Sequence, residues 1–355
     1  MNLKFWNGKK VLITGHTGFK GSWLALWLKK LGAQVVGLAL APPSEPNMFK
    51  CVHAEDGMVS LHGDVRDLEK ILRTVREHNP DIAFHMAAQA LVRKAYDKPV
   101  ETYTTNMLGT VNILEALRHS EGVRVAVMIT SDKCYENNEW WWGYRETDSM
   151  GGADPYSNSK ACAELIISAY RRSFFSDPQK TGGTAIASVR AGNVIGGGDW
   201  AADRLIPDVM RAFMANQAVK IRYPDAIRPW QHVLEPLSGY MALAEKMWHD
   251  GDRYDDAWNF GPAHEDSKPV SWIVEHLAEA WGEARWVIES STSQHHEANY
   301  LKLDCSKARM CLNWRPRLDI ENVLKWVVEW YKAFQRGDDM NLVTNQQIDR
   351  YEKLL

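Results

Sequence analysis

Residues 10–21 read KVLITGHTGFKG. The run from Lys10 to Thr14 is short, apolar and rich in β-branched residues, as a buried parallel strand is. It enters Gly15-His16-Thr17-Gly18-Phe19-Lys20-Gly21, and Ser22 to Leu31 then repeats apolar residues at helical spacing. Strand, glycine turn and helix in that order form the context in which such glycines bind a dinucleotide. Gly15 permits the tight turn, Gly18 lets a pyrophosphate approach the backbone, and Gly21 lets the helix lie close on the strand. Free N–H groups at the helix start then face the phosphates.

Outward from this unit, Gln34 to Leu40 reads as a second strand. Its end, Leu38-Ala39-Leu40-Ala41-Pro42, carries no acid for a ribose 2′-hydroxyl, so NAD and NADP are not separated there. Lys20 or Lys50 would suit a 2′-phosphate, or each is a solvated lysine. Val59 to Leu61 is a third strand, followed by Gly63-Asp64-Val65. Asp64 either meets the adenine edge or caps a helix beginning near Asp67. Ile82 to Met86 is a fourth strand, entering Ala87-Ala88-Gln89, where small residues suit close approach by a cofactor. A helix over Thr105 to Arg118 contains Asn106, expected to point inward. Val123 to Thr130 is the fifth strand and ends at Ser131. Thr184 to Arg190 is the sixth and leads into Asn193 and Trp200.

This alternation predicts an α/β fold, a Rossmann-type doubly wound parallel sheet. Ligands of such sheets sit beyond the carboxyl ends of the strands, where Gly15, Ala87 and Ser131 fall. After residue 191 the alternation weakens, prolines become frequent and Arg204, Arg211, Arg222 and Arg228 follow. A smaller C-terminal substrate-binding lobe is expected there. The division is 1–190 with about 232–262 for the cofactor, and 191–231 with 263–355 for the substrate.

The chain has 355 residues, 45% hydrophobic and 25% charged, an ordinary globular composition that allows two domains. A net charge of −3 gives no support for nucleic-acid or membrane binding. No apolar run approaches the roughly 18 residues that span a bilayer, and the N-terminus has no signal-peptide pattern. Five cysteines without a Cys-x-x-Cys pair indicate a reduced, cytoplasmic protein. Sixteen tryptophans either fill the core or wall a pocket. His295-His296-Glu297 lacks metal-ligand spacing and is read as surface, with no metal. Trp140-Trp141-Trp142 is an exposed apolar cluster of the kind that marks an interface or a lid. Met107, Leu108, Val111 and 114–117 form a helical stripe, core or a helix-pairing face.

The chemistry concentrates between Ser131 and Lys160. Tyr156 and Lys160 share a helix face at i, i+4 spacing. A free tyrosine, with a pKa of about 10, is a poor base at neutral pH. A neighbouring ammonium favours the phenolate, so the pair can take a proton from an alcohol. Asp132 and Lys133 stand directly after the fifth strand as two further proton-transfer candidates.

The glycine turn, the Tyr156/Lys160 pair and the hydroxyl of Ser131 together resemble the extended short-chain dehydrogenase/reductase superfamily. Within it, Gly15–Trp23, Ser131–Asn137 and Gly151–Lys160 look most like the CDP-glucose 4,6-dehydratases. Asn193-Val194 and Arg228-Pro229-Trp230-Gln231-His232 extend the likeness over nearly the whole chain. The resemblance implies an NAD-dependent lyase of deoxysugar and O-antigen (lipopolysaccharide) biosynthesis that takes CDP-glucose and forms a homodimer or dimer of dimers. Gly15, His16, Thr17, Gly18, Phe19, Lys20, Gly21, Asp64, Val65, Ala87, Ala88, Gln89, Asn106, Tyr156 and Lys160 would hold the cofactor. Tyr156, Lys160 and Ser131 would oxidise C4. The elimination needs an acid at O6 and a base at C5, for which Asp132 and Lys133 stand. The related dTDP-glucose enzymes carry Glu where this chain has Lys133. A lysine there either takes the C5 proton, if its pKa is lowered, or stabilises the enolate by charge. Asn193, Arg204 and Arg228 would bind phosphate or sugar, and Trp200 or Tyr300 would stack on cytosine. An epimerase on the same fold would lack the Asp132-Lys133 pair. A nicotinamide-binding sensor would have no need of Tyr156 and Lys160, and an NADP-dependent reductase would consume its cofactor.

Overall fold

The computed structural model describes residues 1–176, 183–282, 284–288 and 300–355. Seven strands lie in one sheet: β1 (Lys10–Thr14), β2 (Gln34–Ala39), β3 (Val59–His62), β4 (Ile82–His85), β5 (Val125–Ile129), β6 (Ala185–Ala191) and β7 (Ala257–Phe260). Their order is β3-β2-β1-β4-β5-β6-β7, and every neighbouring pair is parallel. The order reverses between β1 and β4, which opens a crevice at their carboxyl ends.

Seven helices matter here: α1 (Phe19–Lys30), α2 (Leu68–His78), α3 (Gly109–Arg118), α4 (Pro155–Tyr170), α5 (Leu234–His249), α6 (Ile320–Arg336) and α7 (Met340–Glu352). Successive strand residues point to opposite faces, so β1 serves two cores. Leu12 joins Ile71 and Val75 of α2, Ile113 and Leu117 of α3 and Ile167 of α4. Val11 and Ile13 join Trp23 and Trp27 of α1 and Leu237 and Met241 of α5. Burial on both faces is why β1, β4, β5 and β6 read as apolar runs without alternation. Trp6, Trp23, Trp27, Trp258 and Trp330 are fully buried, so these tryptophans are core.

Two element boundaries differ from the sequence expectation. α1 starts at Phe19, with Gly18 as its N-cap, so Gly21 lies inside the first turn. Ahead of α3, Thr104–Leu108 form a wide π-helical turn. The side chain of Asn106 is committed there to the loop after β4, and Thr110 Oγ1 donates to the Asn106 carbonyl at 2.7 Å.

Past β6 the chain makes short pairings: Val194–Ile195 with Gln231–His232, and Ile227–Pro229 with Ser267–Pro269. α5 returns to pack on β5 and β6, and β7 pairs with β6. α7 then folds back on α1, where Trp27 Nε1 donates to Glu352 Oε1 at 2.8 Å. All five cysteines are free. Among the described residues no helix is long and apolar enough to cross a membrane, and no group of side chains could hold a metal ion. His295-His296-Glu297 lies outside the described residues.

Glu235 on α5 anchors the C-terminal segment. Its Oε1 accepts from the Arg317 and Leu318 amides at 2.9 and 2.8 Å, and its Oε2 from the Tyr351 hydroxyl at 2.7 Å. Burial raises its pKa to about 7 from an ordinary 4.5. The folded state therefore favours the neutral acid. That stability is full below about pH 4.5 and lost as pH rises to about 7, a difference on the order of 3 kcal/mol. Glu235→Gln keeps the acceptor for both amides and removes the titration. The drop in melting temperature between pH 5 and pH 8 should be smaller in this variant than in the parent chain.

Candidate active site

A cleft of about 1420 Å³ runs along the carboxyl edge of the sheet, lined by Gly15, Ala87, Ser131, Tyr156, Asn193 and Arg228 among others. Pockets for one drug-sized ligand hold roughly 300–1,000 Å³, so this one has room for two ligands side by side.

One arm of the cleft is the glycine turn. Gly15 has φ +77°, and a Cβ there would sit 2.8 Å from the backbone of Ala87. A Cβ on Gly21 would lie 2.2 Å from the Gly15 carbonyl oxygen. No side chain caps α1 at Gly18, so its first N–H groups face the cleft. Thr17, Gly18, Phe19, Lys20, Asp64, Val65, Ala87, Ala88 and Gln89 line the same space. His16 does not: it is buried beneath β2, where its ring fills the space left by Gly37 and its Nε2 meets Ser60 Oγ at 2.8 Å. Burial holds its pKa down at about 4, so it is neutral.

Asp64 pairs with Arg66 at 2.5 Å on the cleft wall, while Asp67 caps α2 by accepting from the Lys70 amide at 3.0 Å. Lys50 pairs with Glu45 at 2.8 Å outside the cleft. Asn106 is buried and lies behind the lining. Its Oδ1 accepts from Gln89 N at 2.8 Å, and its Nδ2 donates to Gln89 O at 3.0 Å and Ser159 Oγ at 2.8 Å. It thus ties the loop after β4 to α4, between Tyr156 and Lys160.

The other arm is built on α4 and the end of β5. Asp154 caps α4 by accepting from the amides of Tyr156 and Ser157 at 2.9 and 3.0 Å, and Pro155 fills the first helical position. Tyr156 and Lys160 are consequently one turn apart on the buried face that meets the cleft. Burial pushes Tyr156 up to about 12, opposed by its bond to the Ser131 hydroxyl and by the charge of Arg204. The ammonium of Lys160, the activating charge expected from the sequence, donates to the Ile129 carbonyl at 3.4 Å. Burial also lowers Lys160 to about 8, with Glu164 opposing.

Ser131 opens a single 3-10 turn, Asp132–Cys134, accepting from the Lys133 amide at 3.2 Å and donating to Asp132 Oδ1 at 3.0 Å. Asp132 is buried, and its Oδ2 has no partner among the described residues. That oxygen packs on Gly192, where a Cβ would come within 2.0 Å. Burial raises the Asp132 pKa, against the pull of Lys133, Ser131 and Arg228. A carboxyl whose pKa is raised is better matched to act as a general acid. Lys133 lines the cleft beside it. Lys20, assigned to the cofactor turn, reaches this end too. Burial, Lys160 and Arg204 lower its pKa to about 7.

At the far end, Arg204 Nη1 meets Asp199 Oδ2 at 3.0 Å, and the buried Arg228 lies near Asp132. Asn193 lines the cleft in a left-handed conformation, φ +38°. Trp200 touches the cleft but is held in a cluster with Tyr331 and Phe334, centroids 5.2 and 4.9 Å away. Tyr300 lies outside the cleft lining and donates to the Trp141 carbonyl at 3.3 Å. In the tryptophan triplet, Trp140 packs on Tyr144 while Trp141 and Trp142 are 81% and 55% exposed.

One group escaped the sequence reading. Beneath the catalytic turn, Glu164 accepts from Thr130 Oγ1, from Ser188 Oγ at 2.7 Å and from Arg190 Nη2 at 2.8 Å. Arg190 also donates to the Tyr135 hydroxyl at 2.7 Å, which donates to Asn259 Oδ1 at 2.8 Å. The signal was present: an acid four residues after Lys160, on an otherwise buried apolar helix face.

This chain is 54% identical over 349 residues to the CDP-glucose 4,6-dehydratase of Salmonella typhimurium (strain LT2), covering 98% of this chain and 97% of that one. It is 23% identical to a dTDP-glucose 4,6-dehydratase of Xanthomonas campestris pv. campestris, covering 91% and 93%. Its fold matches UDP-glucose 4-epimerase of Thermotoga maritima, with a TM-score of 0.80, 21% identity and coverage of 92% and 99%. It also matches a dTDP-glucose 4,6-dehydratase of Bacillus anthracis in complex with NAD, with a TM-score of 0.77, 19% identity and coverage of 94% and 100%. The family profile for GDP-mannose 4,6 dehydratase matches residues 12–327. With that profile spanning both arms of the cleft, the chain belongs to the GDP-mannose 4,6 dehydratase family.

Proposed function

We propose that this protein is a CDP-glucose 4,6-dehydratase that converts CDP-glucose to CDP-4-keto-6-deoxyglucose and water in the cytoplasm. The 54% identity over 98% of the chain carries the choice of nucleotide sugar. The buried Asp132 carboxyl, whose Oδ2 has no partner among the described residues, favours elimination over plain epimerisation.

NAD is the cofactor that fits. Gly15 and Gly21 allow the close backbone packing that shapes the turn, Gly18 lines the cleft without a side chain, and no side chain takes up the first amides of α1. Bound there, NAD would supply hydride transfer from C4 and back to C6, with none consumed. Gly15, Thr17, Gly18, Phe19 and Gly21 would hold its diphosphate, and Val65, Ala87, Ala88 and Gln89 would flank it. Residues 1–190 with 232–262 form this half, and 191–231 with 263–355 the sugar-nucleotide half.

Tyr156 takes the proton from the glucose O4 hydroxyl, with Ser131 hydrogen-bonded to it and the positive charges of Lys160 and Arg204 favouring the phenolate. The resulting 4-keto group acidifies C5–H. Lys133 takes the C5 proton as the C6–O6 bond breaks and gives it back to C5 when hydride returns to C6. Asp132, whose pKa burial raises, gives a proton to the departing O6 hydroxyl, which leaves as water. Arg228 and Asn193 hold the diphosphate and sugar; a guanidinium matches phosphate geometry. Exposed Val100, Leu108 and Leu165 around α3 and α4 supply an apolar face for a homodimer.

Incubation with CDP-glucose and NAD should yield a 4-keto-6-deoxy product with no net NADH. Turnover of a dTDP or UDP sugar in its place would refute the nucleotide. Asp132→Asn and Lys133→Ala should still form enzyme-bound NADH from CDP-glucose in a single turnover, while product release of water falls by about 10²–10⁴-fold. Loss of the first half-reaction in both variants would remove these residues from the elimination.

A further inference from the structure

The Tyr156/Lys160 pair sits on a buried anion that no step above uses. Glu164 follows Lys160 by one turn of α4, is almost wholly inaccessible, and is absent from the cleft lining. Its oxygens are taken up by Thr130 at the end of β5 and by Ser188 and Arg190 on β6. Burial pushes the Glu164 carboxyl up, but Arg190 and these hydrogen bonds outweigh it and hold it below the ordinary range. The group is therefore a fixed negative charge beneath Lys160. Arg190 is in turn oriented by Tyr135 and the Glu146 carbonyl, at 2.7 and 3.2 Å. The network thus spans α4, β5, β6 and the turn that carries Ser131, Asp132 and Lys133.

We propose that Glu164 is a positioning residue for the oxidation step: ion-paired with Arg190 and one helical turn from Lys160, it places a fixed negative charge beneath the ammonium and, through Thr130, holds the end of β5, whose Ile129 carbonyl accepts from Lys160, against α4. This rests on the dehydratase function above and adds a residue to it. The groups facing Lys160 leave Glu164 as its counter-charge. From its own helix come Tyr156 and Glu164. From the turn after β5 comes Cys134, whose thiol burial keeps neutral. Lys20 of α1 is a like charge, and His85 at the end of β4 is held neutral, with its pKa near 3, by burial and by Lys160 itself. Around Glu164 stand Thr130, Ser188, Arg190 and Cys134.

The sign of the effect follows. Lys160 acts as a cation, so oxidation fades at alkaline pH as it loses its proton. A neutral residue at position 164 leaves burial, Lys20 and Arg190 unopposed, and the proton is lost at lower pH. The experiment is single-turnover formation of enzyme-bound NADH from CDP-glucose between pH 6 and pH 10. In Glu164→Gln the alkaline limb should move down by roughly one pH unit, a ten-fold loss at fixed alkaline pH. The KM for CDP-glucose should be unchanged. Glu164→Asp, which keeps the charge, should restore the limb. Because Glu164→Gln strands Arg190, the paired variant Glu164→Gln/Arg190→Gln provides a neutral replacement that folds where the single one does not, and its limb should shift in the same direction. A uniform loss of rate with an unmoved limb would overturn the proposal and leave a purely structural role. Failure of the parent protein itself to form bound NADH with CDP-glucose would instead overturn the function on which the proposal rests.

Discussion

Two close backbone approaches, each open only to glycine, lie at the carboxyl edge of the sheet. There Gly15 leaves β1 against the backbone of Ala87 after β4, and Gly21 of α1 comes down on the Gly15 carbonyl. Every other part of the site takes its position from these contacts. A Cβ at Gly15 or Gly21 would push β1, β4 and α1 apart and narrow the space that two ligands must share. Because the strand order reverses at the same point, the sheet opens outward there, and the ends of β5 and β6 form the opposite wall.

On that wall, charge is organised by burial. Burial shifts Asp132, Tyr156, Lys160 and Lys20 towards their neutral forms: the carboxyl and phenol upward, the amines downward. Four groups poised in this way within one cleft are the pattern expected of proton-transfer machinery. Asp132, Tyr156 and Lys160 all come from the stretch that runs from the end of β5 into the first turns of α4. The Glu164–Arg190 pair beneath them behaves oppositely. Each partner keeps its charge, because each satisfies the other and the remaining oxygens are hydrogen-bonded. Removing one member of such a pair typically costs about 3–5 kcal/mol.

Much of the fold was legible in order along the chain. Six strands, the glycine turn and the helix starts were marked by β-branched runs, glycines and capping residues, which are local signals. Boundaries slipped where side chains had non-local work. Asn106 sits in a π-helical turn because its amide grips Gln89 and Ser159. His16 belongs to the glycine motif by position, yet Gly37, on the neighbouring strand, gives its ring a place away from the cleft. Tyr300 and Trp200 look equally fit to stack on a base by residue type. Only the packing separates them, one outside the cleft lining and the other wedged against Tyr331 and Phe334.

The sequence by itself determined the strand-turn-helix unit, the parallel α/β class and the spacing of the candidate proton-transfer residues. Each of these depends on residues a few positions apart, and spacing within one element is a local property. Tertiary structure alone decided which groups keep their protons and which side chains reach the cleft. Both depend on how much water is excluded and on which charges arrive from other elements. Lys20 acquired its place near Lys160, Arg204 and Asp132 in that way, and Lys160 acquired a buried anion beneath it. Desolvation and Coulomb interaction act through space, so their outcome is set only once the sheet has brought β1, β5, β6 and α4 together.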